Sequence, residues 1–149
     1  GEAGVIAVFS EKMLRGEQPI IYDGKTTRDY VFVSDIVAAN IAALDNGRIL
    51  GVYNIGTGKE TDVNRIFSLL NQRFDSAFDP AYLKTPVQQI QRSALSSEKF
   101  RNVSGWQPTV SLEEGIPSVV EWFRRKEAVS SQKTRVHLPH FAFRPSFFI

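Results

Sequence analysis

The sequence predicts an α/β fold in which amphipathic helices alternate with short strands. Apolar residues recur at spacings of three and four in several segments, as they do on the buried face of a helix. Short runs rich in β-branched and aromatic residues lie between these segments. The 149 residues are enough for one domain with its own core, and the 42% hydrophobic and 23% charged content is that of a folded chain.

The first half of the chain begins with a predicted helix followed by two strands. Residues 5–15 carry apolar side chains at helical spacing, and this helix is expected to end near Gly16. Strands are predicted at residues 19–22 and 30–33, joined by a turn at Asp23-Gly24.

A second helix is expected to begin at a cap on Ser34 or Asp35 and to stop at Asn46-Gly47. Residues 52–55 are predicted to form a strand that leads into Gly56-Thr57-Gly58. A third helix is expected to be capped by Thr61 or Asp62, and a long loop follows over residues 75–89. A brief strand is predicted at residues 90–95 and a short helix at residues 97–102. The final helix is expected to begin at the capping box Ser111-x-x-Glu114.

Charge divides the chain into two unequal parts. Residues 1–123 carry 12 Lys and Arg against 15 Asp and Glu, whereas residues 124–149 carry six basic residues against Glu127 alone. We therefore predict a domain over residues 1–126 and a basic, aromatic, poorly ordered tail over residues 127–149. Because the body lacks a basic face with interleaved aromatics, no nucleic-acid partner is expected.

The apolar segments and the residue inventory exclude several other classes of protein. No apolar run reaches the roughly 18 to 20 residues that span a bilayer, and no secretory signal is evident, so we expect a soluble, cytoplasmic protein without a membrane partner. There is no Cys, and the two His, His137 and His140, lie in the tail without a third ligand nearby. No metal site and no catalytic residue are therefore assigned.

Two short motifs each allow a functional and a structural interpretation. Gly56-x-Gly58 after a strand could hold a phosphate on its backbone amides, but it lacks the third glycine and the later acidic residue of a dinucleotide site, so a tight turn is favoured. Arg28 could hold a phosphate with its guanidinium fork, or it could form a surface pair with Asp29. The residues alone leave this second choice open.

Three blocks in order, TRDYVFVSD, YNIGTG and SGWQP followed by SLEEG, make residues 1–125 resemble a known family. The chain resembles the C-terminal portion of proteins of the NAD-dependent epimerase/dehydratase family, a group of extended short-chain dehydrogenases. Within that family it is most similar to the UDP-glucose 4-epimerases. In that family a Rossmann lobe holds NAD and the C-terminal segments form a smaller lobe over the nucleotide sugar.

The resemblance implies a C-terminal, substrate-binding lobe that lacks the main Rossmann βαβ units. None of the four Tyr begins the family's Tyr-x-x-x-Lys pair. We therefore expect NAD not to bind this chain alone, and we expect the chain not to be catalytic without an NAD-binding half. A non-catalytic binding module and a truncated product without independent function are the alternatives.

The resemblance also implies a set of substrate-binding residues for a UDP-hexose. Arg28 would contact the pyrophosphate, the strand Ile20-Ile21-Tyr22 would lie along the base, and Gly4-Val5 would line the same cleft. The family's second phosphate-binding Arg is missing where residues 86–89 now stand, and Arg92 would substitute for it in part. The partner implied is an NAD-binding polypeptide or a second copy of the chain.

Overall fold

The computed structural model describes residues 4–85 and 90–133, which form a mixed α/β fold of five helices and four short strands. The helices are α1 (Val5–Leu14), α2 (Val33–Asp45), α3 (Val63–Arg73), α4 (Glu98–Ser104) and α5 (Leu112–Lys133). The strands are β1 (Ile20–Tyr22), β2 (Thr27–Arg28), β3 (Thr61–Asp62) and β4 (Ala81–Leu83). β1 pairs in parallel with β4, and β2 pairs antiparallel with β3. The predicted α/β class is confirmed.

The main core lies where α1, α3 and α5 pack on one another and on Ile21 of β1. Two predicted caps set where its helices begin. The Asp62 carboxylate accepts a hydrogen bond from the backbone N–H of Arg65 at 3.0 Å, at the start of α3. Ser111 and Glu114 form the predicted capping box, with Ser111 N donating to the Glu114 carboxylate at 2.9 Å.

A second, smaller core joins α2 to α4 through Ala39, Phe100 and Trp106. The residue that caps α2 was predicted wrongly, because the N-cap is Phe32 and Asp35 is the third residue of the helix. The buried Asp35 carboxylate instead accepts hydrogen bonds from the backbone N–H groups of Thr109 and Val110, at 3.1 and 3.0 Å. Asp35 therefore fixes the segment that leads into α5.

The second strand was predicted in the wrong place. It is β2, at Thr27–Arg28, and it pairs with β3 so that Thr27 faces Asp62. The predicted residues 30–33 instead bury Val31 and run into α2 at Val33. β-propensity records how well a side chain packs on a half-buried surface, and here that packing accompanies a single bridge residue, Phe32.

Two further predicted strands, at residues 52–55 and 90–95, are absent from the part of the chain that the structure describes. Conversely, the predicted loop over residues 75–89 contains β4, because the edge of β1 supplies a partner for Ala81–Leu83. The parallel partner of β4 lies about 60 positions earlier in the chain, and the local pattern does not reveal where such a partner is.

α5 continues to Lys133, so the predicted boundary between residues 126 and 127 falls inside this helix. The rest of the predicted tail, with His137 and His140, lies outside the described residues. Within residues 4–85 and 90–133, no helix combines the length and the apolar character that crossing a bilayer requires.

Candidate functional site

Arg28, at the end of β2, is half-buried and held in one orientation by backbone oxygens. Its Nη1 donates hydrogen bonds to the carbonyl oxygens of Thr27 and Ile90, both at 2.7 Å. Among the described residues, no hydrogen bond is formed by Nε or Nη2 of Arg28. Guanidinium groups bind carboxylates and phosphates through two parallel N–H donors. Within the described residues, Nε and Nη2 of Arg28 are therefore two N–H donors without a partner, an arrangement that suits an anion.

The neighbouring Asp29 faces a different group of residues. Its carboxylate accepts hydrogen bonds from the backbone N–H groups of Thr57, Gly58 and Leu95, at 3.0, 2.9 and 3.1 Å. Among the described residues no ion pair joins Arg28 to Asp29. The interpretation of these two residues as a surface ion pair is therefore wrong, and Asp29 serves as an internal anchor between two loops.

The Gly56-Thr57-Gly58 segment is the tight turn that the sequence favoured. Its Thr57 and Gly58 amides bind the Asp29 carboxylate, and the Gly56 N–H donates to the buried hydroxyl of Ser97 at 2.6 Å. A Cβ on Gly56 would lie 2.7 Å from Asp29 Oδ2, so only glycine fits. The amides that would hold the pyrophosphate of NAD already have an internal anion as their partner. This turn therefore does not fit the cofactor.

β1 presents one buried and one exposed side to its surroundings. Ile21 is fully buried in the main core, whereas the side chain of Tyr22 is 49% exposed. β4 occupies one edge of β1, and within the described residues the other edge has no strand partner. On β4, the exposed Tyr82 donates its hydroxyl proton to Asn64 Oδ1 at 2.9 Å. Ile21 therefore offers no surface to a ligand, whereas Tyr22 can contact one through its ring.

Arg92 is engaged by a carboxylate that the sequence analysis did not single out. Its Nε and Nη2 donate to the Glu60 carboxylate at 2.9 and 2.8 Å, and Thr27 Oγ1 donates to the same carboxylate at 2.6 Å. The hydrogen bonds from Arg92 and then Thr27 lower the pKa of Glu60 to about 2. The structure thus places Arg92 beside β2 with its guanidinium already paired to Glu60, and its predicted phosphate contact stays a prediction.

Gly4 and Val5 lie at the start of α1, apart from this network. Gly4 is the N-cap, and its carbonyl oxygen accepts a hydrogen bond from Val8 N at 3.1 Å, while Val5 packs against the main core. No hydrogen bond among the described residues joins Gly4 or Val5 to Arg28 or Arg92. Of the predicted site residues, Arg28 and Arg92 are linked indirectly, because Arg28 contacts the carbonyl oxygen of Ile90, two residues before Arg92.

Two kinds of residue in this region were missed from the sequence. Glu60 and Tyr82 make contacts across 32 and 18 positions, and spacing along the chain gives no signal for such partners. Asp29 was considered only as a surface partner of Arg28, because its actual partners Thr57, Gly58 and Leu95 lie 28, 29 and 66 positions away. No group of three or more potential metal ligands occurs within residues 4–85 and 90–133.

The described residues form a small α/β domain in which backbone oxygens hold the guanidinium of Arg28 at the end of β2. Comparison with known proteins gives the family. Residues 1–56 match the model of the NAD dependent epimerase/dehydratase family. The chain is 41% identical over 125 residues to the putative UDP-glucose 4-epimerase of Methanocaldococcus jannaschii, covering 83% of this chain and 40% of that protein.

Solved structures agree with this match. The UDP-glucose 4-epimerase of Thermotoga maritima, crystallised with UDP-glucose, superposes with a TM-score of 0.78 at 44% identity, covering 85% of this chain and 41% of that one. The Thermus thermophilus UDP-glucose 4-epimerase in complex with NAD gives a TM-score of 0.72 at 33% identity, over 83% of this chain and 41% of that one. The family resemblance is confirmed, and the chain spans about 40% of the length of these relatives.

Proposed function

We propose that this chain is the substrate-binding portion of an NAD-dependent nucleotide-sugar epimerase of the UDP-glucose 4-epimerase type, corresponding to the C-terminal lobe. The observation that carries the proposal is the oriented, half-buried Arg28 in a chain 44% identical to an epimerase crystallised with UDP-glucose. A guanidinium with two parallel donors suits a diphosphate, and Nε and Nη2 of the oriented Arg28 form such a pair.

The remaining roles follow the layout of the strands. The edge of β1 away from β4 has no strand partner among the described residues, and we assign the backbone groups of Ile20 on that edge to a uracil base. The fully buried Ile21 holds the strand on the core, and Tyr22 adds its exposed ring. Gly4 and Val5 complete the wall of the cleft from the start of α1. Because the guanidinium of Arg92 is paired with Glu60, we assign no direct phosphate contact to it.

Epimerisation at a sugar carbon by transient oxidation requires a hydride acceptor and an acid/base pair. The chain has no Tyr-x-x-x-Lys, and the Gly56 turn does not fit NAD. The proposal therefore assigns NAD, and with it turnover, to a nucleotide-binding polypeptide that corresponds to the part of the relatives this chain does not span.

One surface supports a partner of this kind. Val37, Ile41 and Leu44 lie three and four positions apart on α2 and are all exposed, Leu44 to 81%. The opposite face of α2 packs into the second core through Ala39. An apolar stripe on a helix indicates a surface that is buried in a complex, and we assign it to the NAD-binding polypeptide.

Calorimetric titration with UDP, uridine and NAD tests the binding proposal. We expect the chain to bind UDP, and Arg28→Gln to weaken UDP binding at least tenfold while leaving uridine binding unchanged, because charge-assisted bonds are worth about 1.5–3 kcal/mol. Arg48→Gln, which removes the same charge from an exposed position, is the matched control. The absence of UDP binding would refute the proposal, and NAD binding by the chain alone would refute the assignment of the cofactor.

Complementation tests the partner. The chain is mixed with the portion of the Methanocaldococcus jannaschii protein that it does not span, and interconversion of UDP-glucose and UDP-galactose is followed. Activity is expected only in the mixture, and Ile41→Lys is expected to abolish it without lowering UDP affinity. Turnover by the chain alone would contradict the proposal. So would a stable dimer, detected by sedimentation, that Ile41→Lys disrupts, because a second copy of the chain would then cover the apolar stripe on α2.

A further inference from the structure

Three separate segments of the chain meet at the carboxylate of Glu60. Thr27 of β2 donates its hydroxyl proton to Oε2 at 2.6 Å. Arg92 donates from Nε to Oε2 at 2.9 Å and from Nη2 to Oε1 at 2.8 Å. The Arg92 side chain is 77% exposed, whereas that of Glu60 is only 29% exposed. A carboxylate that accepts a bidentate guanidinium and a hydroxyl together is fixed more firmly than an ordinary surface ion pair.

The segment that Glu60 holds through Arg92 is the segment that orients Arg28. Thr27 N donates to the carbonyl oxygen of Gln91 at 2.8 Å, and Arg28 Nη1 donates to that of Ile90 at 2.7 Å. Residues 90–92 therefore touch β2 on their backbone side and Glu60 on their side-chain side. If Arg92 is released from Glu60, the hydrogen bonds of Thr27 and Arg28 to these two carbonyl oxygens still join residues 90–92 to β2.

We infer that Glu60 is a positioning residue for the phosphate site: it fixes residues 90–92 through Arg92 so that the Ile90 carbonyl holds the Arg28 fork in place. This inference rests on the proposed function, because it concerns how well Arg28 meets a diphosphate. Glu60 itself carries a negative charge and does not contact the phosphate. Arg92 acts through Glu60 and the backbone rather than as a ligand.

A direct role of Arg92 in phosphate binding would change UDP affinity in the opposite direction. If Arg92 were a phosphate ligand, Glu60 would compete with the diphosphate for its guanidinium, and removing Glu60 would strengthen UDP binding. If Glu60 positions the segment, removing it weakens UDP binding. Uridine lacks the phosphates, so its binding should respond in neither case.

The test is a double-mutant cycle with Glu60→Gln and Arg92→Gln, titrated with UDP and with uridine. We expect each single variant to weaken UDP binding about fivefold, which corresponds to about 1 kcal/mol of coupling, and the double variant to lose no more than either single one. Uridine binding should stay unchanged. Glu113→Gln is the matched control, because it removes a comparable ion pair, 2.6 Å long, that joins Arg65 of α3 to Glu113 of α5.

Unchanged or tighter UDP binding by Glu60→Gln overturns the inference, and so does an equal loss of uridine binding, which would indicate a general structural effect. Hydrogen exchange at the Thr27 amide gives a readout that needs no ligand, and Glu60→Gln should accelerate it whereas Glu113→Gln should not. If the unmodified chain fails to bind UDP while this acceleration is seen, the proposed function fails and the positioning of residues 90–92 stands. If UDP binds and neither measurement responds to Glu60→Gln, the inference about Glu60 fails alone.

Discussion

The carboxylate of Asp29 accepts both the backbone N–H of Thr57, at 3.0 Å, and the hydroxyl of the same residue, at 2.5 Å. Asp29 directly follows Arg28, whose guanidinium contacts the carbonyl oxygen of Ile90. The two adjacent residues therefore have different roles. Asp29 holds the Gly56-Thr57-Gly58 turn, and Arg28 is oriented toward the candidate site. This separation explains why the turn cannot also serve as a phosphate cradle.

Replacing Asp29 tests its role as an anchor. Asp29→Asn keeps the shape but removes the charge and replaces one acceptor oxygen with a donor that faces backbone N–H groups. We expect it to lower the free energy of unfolding by about 2–3 kcal/mol, measured by urea denaturation. Asp45→Asn, at an exposed position at the end of α2, should change it by less than about 0.5 kcal/mol. An unchanged unfolding midpoint for Asp29→Asn would show that the turn does not depend on this carboxylate.

Gly56 and Gly47 make a matched pair for a steric prediction. A Cβ on Gly56 would lie 2.7 Å from both Asp29 Oδ2 and the carbonyl oxygen of Leu95, whereas a Cβ on Gly47 would meet nothing within 4 Å. Because one of the two obstacles is backbone, relief requires the chain to move, and we expect Gly56→Ala to cost about 1–3 kcal/mol. Gly47→Ala should leave the melting temperature nearly unchanged. Equal effects of the two substitutions would contradict the close packing of the turn.

Ser10 predicts a gain in stability. Its side chain lies fully buried in α1, and its hydroxyl has no hydrogen-bond partner among the described residues. Ser10→Ala removes a desolvated polar group at little cost in volume, so we expect unfolding to become harder by up to about 1 kcal/mol. Ser104→Ala should have the opposite sign, because that hydroxyl donates to the carbonyl oxygen of Phe100 and accepts from the N–H of Trp106. A loss of stability in Ser10→Ala would indicate that the hydroxyl is satisfied in solution.

The sequence predicted several helix ends correctly, because a helix end depends on residues that are close together in the chain. The caps at Asp62 and Ser111 and the stop at Asn46 were confirmed, because each depends on residues a few positions apart. β4 was missed because its partner β1 lies about 60 positions earlier, and the register between them is set by tertiary packing. Glu60 was missed for the same reason, because nothing near it in sequence indicates that Arg92 will return to it.

The lowered pKa of Glu60 makes the stability of its ion pair depend on pH in a defined window. The hydrogen bonds from Arg92 and Thr27 favour the ionised carboxylate and bring its pKa from the ordinary 4.5 to about 2 in the folded chain. The stabilisation is therefore complete above about pH 4.5 and is lost as the pH falls toward 2. We expect the difference in urea midpoint between the unmodified chain and Glu60→Gln to be constant from pH 7 to about 5 and to shrink steadily below it. Glu113 and Glu114, whose pKa values are also lowered, titrate in both proteins and cancel in this difference. A difference that stays constant down to pH 2.5, or one already lost at pH 6, would contradict an ionised Glu60 as the source of the effect.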